Sequence, residues 1–379
     1  MTAKQNPEPG GQRAAARGAG QPGSGRGRQR HAEHRSRHTV LRLGPATIRP
    51  EKRTLTVAIL VLASATVLGL SGMLIGDYQL SVVQVVRALF GLEADPLANY
   101  FVGDIRLPRV LAALLVGAAL GVSGAIFQNI SNNALGSPDI IGFTTGAATG
   151  ALTQIVLFEA APTVVAIGAL VGGFGTAFLV YLLAWRGGLG GYRLVLVGIG
   201  VSAVLSAINS LLVVRSSLVA AQTAAQWLAG SLNATTWGEV ELLALALAVL
   251  LPAALLNARP LDMMIMGDDV ASSLGVRVER TRALMVAIGI ALVSVATAIT
   301  GPIAFVALAA PQIAKKLSRS SRIGIGSAAL MGAALVCAAD LVAQRLFAPT
   351  ELPVGVVTGS LGGIYLVWLL AHESRRKAV

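Results

Sequence analysis

Charge and cysteine are scarce in this chain. Only 13% of its 379 residues are Asp, Glu, Lys or Arg, roughly half the share of a soluble domain. A chain that is 54% hydrophobic, with a mean hydropathy of +0.71, cannot cover a water-facing surface. It therefore reads as an integral membrane protein. The single cysteine, Cys337, rules out an internal disulfide. It lies in an apolar run, where a thiol packs as a small hydrophobe. No glycine is followed by lysine, so there is no phosphate-binding Walker loop. His31, His34, His38 and His372 all fall outside the apolar runs, which excludes a membrane-buried histidine metal site or proton relay. No metal site is expected. Neither an H-E-x-x-H pattern nor a G-x-S-x-G elbow occurs. Asp340 is the clearest acid inside an apolar run, and Asp139 sits near the end of another. A helix-capping or interhelical hydrogen bond suits Asp340 better than a proton site. With so little intramembrane charge and no nucleotide site, the chain lacks the means to power transport by itself.

What is present is a series of long apolar runs rich in small residues. A hydrocarbon core of about 30 Å needs about 20 apolar residues per helix. Ten runs qualify, over 55–75, 106–130, 140–158, 162–184, 193–214, 238–257, 281–300, 302–317, 325–347 and 354–371. The fold expected is therefore all-α, with about ten transmembrane helices. Gly301-Pro302 opens the eighth run, and proline suits the first turn of a short span. The 43 glycines fit helices whose backbones pack closely in lipid. Lys and Arg crowd the connections on one side of these spans, which by the positive-inside rule places both termini in the cytoplasm. Residues 216–237 should hold a short amphipathic helix on the outer face, with Trp227 and Trp237 at headgroup depth. The runs opened by Arg109 and Arg282 each begin a block of four spans. The two blocks enter the membrane from opposite sides, as an inverted repeat would.

The net charge of +12 is concentrated at the start, where residues 1–53 supply +9. This segment is rich in Gly, Arg, Gln and Pro and has no hydrophobic period, so it reads as a disordered basic cytoplasmic tail. It has no aromatic residue to stack on bases. Contact with membrane lipids is preferred over nucleic acid, and no nucleic-acid partner is expected. The first apolar run begins near Leu55, too late for a secretory signal peptide. Residues 372–379 form a basic cytoplasmic C-terminus.

One polar stretch stands apart. Gly267-Asp268-Asp269-Val270-Ala271-Ser272-Ser273-Leu274-Gly275 is a helix-compatible segment between two glycines and two long apolar runs. Asp268 and Asp269 fall in its first turn, where negative charge suits the helix dipole. Val270, Ala271 and Leu274 recur at helical spacing, as residues filling a cleft on a partner would. The alternative is a solvated loop helix with no partner.

At the level of motifs the chain resembles the permease subunits of binding-protein-dependent ABC importers for iron–siderophores, haem and cobalamin. The strings that carry the resemblance are Arg106-Leu107-Pro108-Arg109, Asn133-Ala134-Leu135-Gly136-Ser137-Pro138, Ala229-Gly230-Ser231-Leu232, Gly267 to Gly275, Gly301-Pro302-Ile303-Ala304-Phe305 and Glu351-Leu352-Pro353-Val354-Gly355. They occur in order over roughly 55–371. Ser137-Pro138-Asp139, Val278-Glu279-Arg280 and Ser360-Leu361-Gly362-Gly363-Ile364-Tyr365 bring it nearest to the ferric-enterobactin type.

The resemblance implies a type II ABC importer permease architecture. Residues 54–371 would be the transmembrane permease domain, with a cytoplasmic coupling segment at 267–280. The partners implied are a second permease (a paralogue in preference to another copy), two ABC ATPase subunits that hydrolyse ATP, and an extracytoplasmic siderophore-binding protein. The chain itself would be non-catalytic and hold no cofactor; its cargo would be a ferric siderophore of the catecholate class. Another iron chelate, haem or cobalamin is the alternative. Arg106 and Arg109 take the docking part for the delivery protein in this family, and Arg345 is added as a third docking residue. The family places an arginine where Gln344 stands here, one position before Arg345. It also has Asn-Pro-Leu for Asn133-Ala134-Leu135, and Pro-His for Pro311-Gln312. The bland reading of the two arginines is snorkelling to lipid phosphate. The pathway is expected between two permeases, with Thr144, Thr145, Ser202, Ser206, Asn209, Thr358 and Ser360 on its walls. The bland reading of those hydroxyls is helix–helix hydrogen bonding. An ion-coupled secondary carrier and a non-transport scaffold are the competing classes.

Overall fold

The computed structural model describes residues 41–43, 46–48 and 52–377, apart from Asp77, Ala94, Ile140, residues 186–190 and Ser321. Most of the basic tail, expected to be disordered, lies outside the described residues. Within it, β1 (Leu41–Leu43) pairs antiparallel with β2 (Ala46–Ile48). The described elements after them are all helices: α1 (Lys52–Leu74), α2 (Val82–Leu89), α3 (Pro96–Tyr100), a π-helical turn (Phe101–Arg106), α4 (Leu107–Ser131), α5 (Phe143–Phe158), α6 (Pro162–Ala184), α7 (Gly191–Arg215) and α8 (Leu218–Ala229). There follow α9 (Trp237–Leu256), α10 (Ala258–Met264), α11 (Asp268–Ser273), α12 (Val278–Thr300), α13 (Val306–Ser318), α14 (Ile325–Arg345) and α15 (Val354–Lys377).

Each of the ten apolar runs forms a helix. Seven described helices are long and apolar enough to cross a membrane. Phe143–Phe158 is a shorter apolar helix, and Val354–Tyr365 is an apolar stretch that opens the longer α15. α13 is likewise short, with 13 residues. Its late start follows from the break at Gly301, whose φ is +69°, and from Phe305 at φ +67° before its first turn. Among the connections, the expected amphipathic helix is α8, held at its start by Ser217, whose hydroxyl accepts from the Ala220 N–H.

α4 is the centre of the bundle. The continuous helix that contains it buries 78% of its most apolar stretch, against 6% for α7. α14 packs along α4, and α12 and α13 flank it. The approach is close because the seam is made of small residues. A Cβ at Gly124 would fall 1.7 Å from the Ala307 carbonyl oxygen, and one at Gly117 would fall 2.3 Å from that of Gly332. This is how helices associate where lipid supplies no hydrophobic drive.

A length pattern recurs. α4, α5, α6 and α7 have 25, 16, 23 and 25 residues, and α12 to α15 have 23, 13, 21 and 24. In both blocks a residue with positive φ (Gly142 or Phe305) precedes the short second helix.

Candidate functional site

Contacts between helix ends define two faces of the bundle. One carries the starts of α4, α9 and α15, the ends of α12 and α14, and α8. The other carries the ends of α4, α9 and α13, the starts of α1, α12 and α14, and α10 and α11. They are called here the α8 face and the α11 face.

At the α8 face the two arginines of Arg106-Leu107-Pro108-Arg109 part company. Arg106 is only 7% exposed. Its Nη1 donates to the Met73 carbonyl at 2.7 Å and its Nη2 to the Tyr78 carbonyl. The chain between α1 and α2 wraps the guanidinium so closely that a Cβ at Gly76 would sit 2.1 Å from Nη2. Arg106 is therefore a staple inside the protein, whereas its expected docking part would call for a place at the surface. The sequence carries no signal for this, because both acceptors are backbone carbonyls about thirty residues upstream.

Arg109 is also engaged, but at the rim. Its Nε and Nη2 donate to Asp340 at 3.0–3.2 Å, and Nη1 reaches Glu351 at 2.9 Å. Asp340 is buried, while the Glu351 side chain keeps 41% of its surface. Asp340 thus joins α4 to α14, the interhelical role favoured for it. Gln344 stands where the family places an arginine, and its Nε2 donates to Asp340 at 2.8 Å. Arg345, one residue later, is exposed. Beside Arg109 lies a cleft of about 320 Å³ lined by Asp104, Ile105, Thr235, Thr236 and Trp237. Trp237 closes one wall, its Nε1 donating to the Gly103 carbonyl at 3.0 Å.

At the α11 face, α11 is a helix of six residues. Gly267 and Gly275 bracket it at φ +104° and +87°, conformations that a side chain resists. Val270 and Leu274 are 45% and 60% exposed, and Asp269 is exposed. Ala271 is fully buried, so it faces the protein and is not free to fill a partner's cleft. Asp268 is half-exposed but not free either: Arg282 Nη2 donates to both its oxygens, at 2.7 and 2.9 Å. Nearby, Arg322 binds Asp262 at 3.0 Å and ties α10 to the segment before α14. Burial pushes the Asp262 carboxyl above its ordinary value, with Arg322 opposing.

Of the seven polar residues expected on a pathway, three meet at the seam of α5 and α7: Thr145 and Ser202 share a hydrogen bond of 3.0 Å, and Asn209 Nδ2 donates to the Thr145 carbonyl at 3.4 Å. Thr144 instead donates to Asp139 in the segment before α5. Thr358 is buried and donates to the Gly355 carbonyl at 3.1 Å. Ser206 and Ser360 are exposed. Two groups went unassigned in the sequence. Arg282 is one. The other is an amide pair of which Gln128 is buried and Gln312 partly so: Gln312 Nε2 donates to Gln128 Oε1 at 2.7 Å, and Gln128 Nε2 to the Leu308 carbonyl at 3.0 Å. Gln312 is the residue that replaces the family's histidine. Among the described residues no cluster of three or more His, Cys, Asp or Glu is placed to hold a metal ion.

The pattern of the FecCD transport family matches residues 60–372. The chain belongs to the FecCD transport family. The ferric enterobactin transport system permease protein FepG of Escherichia coli (strain K12) is 50% identical over 326 residues, which are 86% of this chain and 98% of that protein. The achromobactin transport system permease protein CbrC of Dickeya dadantii (strain 3937) is 38% identical over 79% of this chain and 86% of its own length. A solved structure of a metal-chelate type ABC transporter in an inward-facing conformation matches with a TM-score of 0.75 and 27% identity. It covers 84% of this chain and 99% of that one. The all-helical membrane fold is thus the FecCD permease fold.

Proposed function

We propose that this chain is the membrane-spanning permease subunit of an ABC importer that carries a ferric siderophore of the enterobactin, catecholate class into the cytoplasm. The observation that carries the reading is the 50% identity to the E. coli ferric enterobactin permease along 86% of this chain and 98% of that one. ATP is hydrolysed on two partner ATPases. A second permease, paralogous to this one, completes the conduit, and an extracytoplasmic binding protein delivers the cargo. The protein sits in the cell membrane with both termini in the cytoplasm, so the α8 face is external and the α11 face internal. Charge at the connections supports that orientation.

In this reading α11 couples to the ATPase through Val270 and Leu274, its exposed apolar residues, with Gly267 and Gly275 setting its angle. The delivery protein docks at the α8 face, where Arg109 and Arg345 are the charged contacts and Arg106 shapes the surface from beneath. Charge complementarity there would give orientation and speed of encounter more than affinity. The conduit runs along α7 and α15. Ser206 and Ser360 line it, and Thr144, Thr145, Ser202, Asn209 and Thr358 hold its walls in register.

The test is reconstitution of this chain with the second permease, the ATPases and the delivery protein in vesicles. ATP-dependent accumulation of ferric enterobactin, exceeding that of a ferric hydroxamate or cobalamin, is the expected result. Accumulation by vesicles that hold this chain alone, driven by an ion gradient, would overturn the reading in favour of a secondary carrier.

A further inference from the structure

α11 is hinged at both ends. Gly267 and Gly275 adopt positive φ, and nothing lies within 4 Å of where a Cβ would stand on either. The glycines therefore serve conformation rather than close packing, and their neighbourhood is open. A two-turn helix between two such residues moves as a unit. What fastens it to the bundle is Ala271, buried beneath it, and the pair of hydrogen bonds from Arg282 to Asp268.

Arg282 is 6% exposed and lies one turn into α12. Glu279 touches its other nitrogen at 3.3 Å and holds the plane of the guanidinium. α12 itself is gripped by the core: Met285, Ile288, Gly289 and Leu292 are buried, and Ser123 of α4 donates to the Gly289 carbonyl at 2.8 Å. Here a single guanidinium nitrogen is shared between both carboxylate oxygens in a charge-assisted contact, and a buried guanidinium loses heavily if its partner leaves.

We propose that the Asp268–Arg282 bridge is the strut through which displacement of α11 enters α12, and so the α4-centred bundle. Arg282 is then a positioning residue for coupling, and Asp268 faces inward to it rather than outward to the ATPase. This rests on the reading of α11 as the ATPase contact. Push on Val270 and Leu274 rotates α11 about its two glycines. Asp268 pulls Arg282, and α12 shifts against α4.

The test uses the complete importer in vesicles and reads uptake per ATP hydrolysed, with co-purification of the ATPases as the control for assembly. Asp268→Asn and Arg282→Lys each should keep the ATPases bound while uptake per ATP falls roughly tenfold. Lysine keeps the charge but loses the planar guanidinium that reaches Asp268 and Glu279 from two separate nitrogens. The swap Asp268→Arg with Arg282→Asp should recover a large part of the loss. Wild-type uptake per ATP in Asp268→Asn overturns the strut, as does loss of the ATPases from that variant, which would make the bridge a matter of α11 shape alone. If the swapped protein does not assemble, Asp268→Asn decides by itself. Leu274→Glu separates the underlying reading: if it leaves both ATPase binding and uptake intact, α11 is not the ATPase contact, whatever Asp268→Asn does.

Discussion

Arg106 and Arg109 are three residues apart and do different work. Arg106→Ala strips the Met73 and Tyr78 carbonyls of their donor, and each unpaired buried acceptor costs about 1–3 kcal/mol. The melting temperature in detergent should drop clearly, while Arg345→Ala, at an exposed site, should leave it unchanged. Asp340→Asn leaves Arg109 short of its buried partner and should cost about 3 kcal/mol. Glu351→Gln, at the wet rim, should cost under about 1 kcal/mol. The same melting experiment ranks the two. Asp262 behaves differently because burial raises its carboxyl pKa despite Arg322. The folded chain then holds that proton more readily than the unfolded one, so this group's contribution is largest below the ordinary carboxylate value and is lost as pH rises through the raised one. Asp262→Asn should be neutral to within about 1 kcal/mol at neutral pH and should remove that acid-side gain, as melting at neutral pH and at a pH below the ordinary carboxylate value would reveal. Residue type and position were enough to single out Arg109 and Asp340. That they pair was not legible, since 231 residues separate them.

Elements were the most legible level. All ten apolar runs became helices, since apolar length is a local property that the bilayer requires. The short eighth span was marked in advance by Gly301-Pro302. What could not be read was facing. Ala271 shares its helical spacing with Val270 and Leu274, yet it is the residue turned inward. The polar set on α5 and α7 bonds mostly across one seam, which only three-dimensional packing decides. The same packing gives a sharp test on α4. Gly124→Val would drive a side chain into the Ala307 carbonyl and force α13 off α4. It should abolish the monodisperse peak in size-exclusion chromatography. Gly103→Ala, where a Cβ meets nothing within 4 Å, should leave that peak intact.

For the molecule as a whole, the contrast between α4 and α7 sets the expectation. Ser206 and Ser210 lie exposed on α7 among Val204, Ile208 and Leu211. A helix with hydroxyls on its bare flank fits a neighbour or a wet passage better than hydrocarbon. Bulky substitution at Ser206 should therefore cut uptake in the assembled importer without lowering the yield of the subunit, as transport and blotting of the same membranes would show. The Arg109–Asp340 pair carries a consequence of another kind, in biosynthesis. α4 is made long before α14, and at about 5–20 residues per second the ribosome needs roughly ten to fifty seconds to supply the missing carboxylate. During that interval the inserting chain holds a lone guanidinium at the lipid edge, and any message that stops short of the ninth span delivers a polypeptide that can never neutralise it.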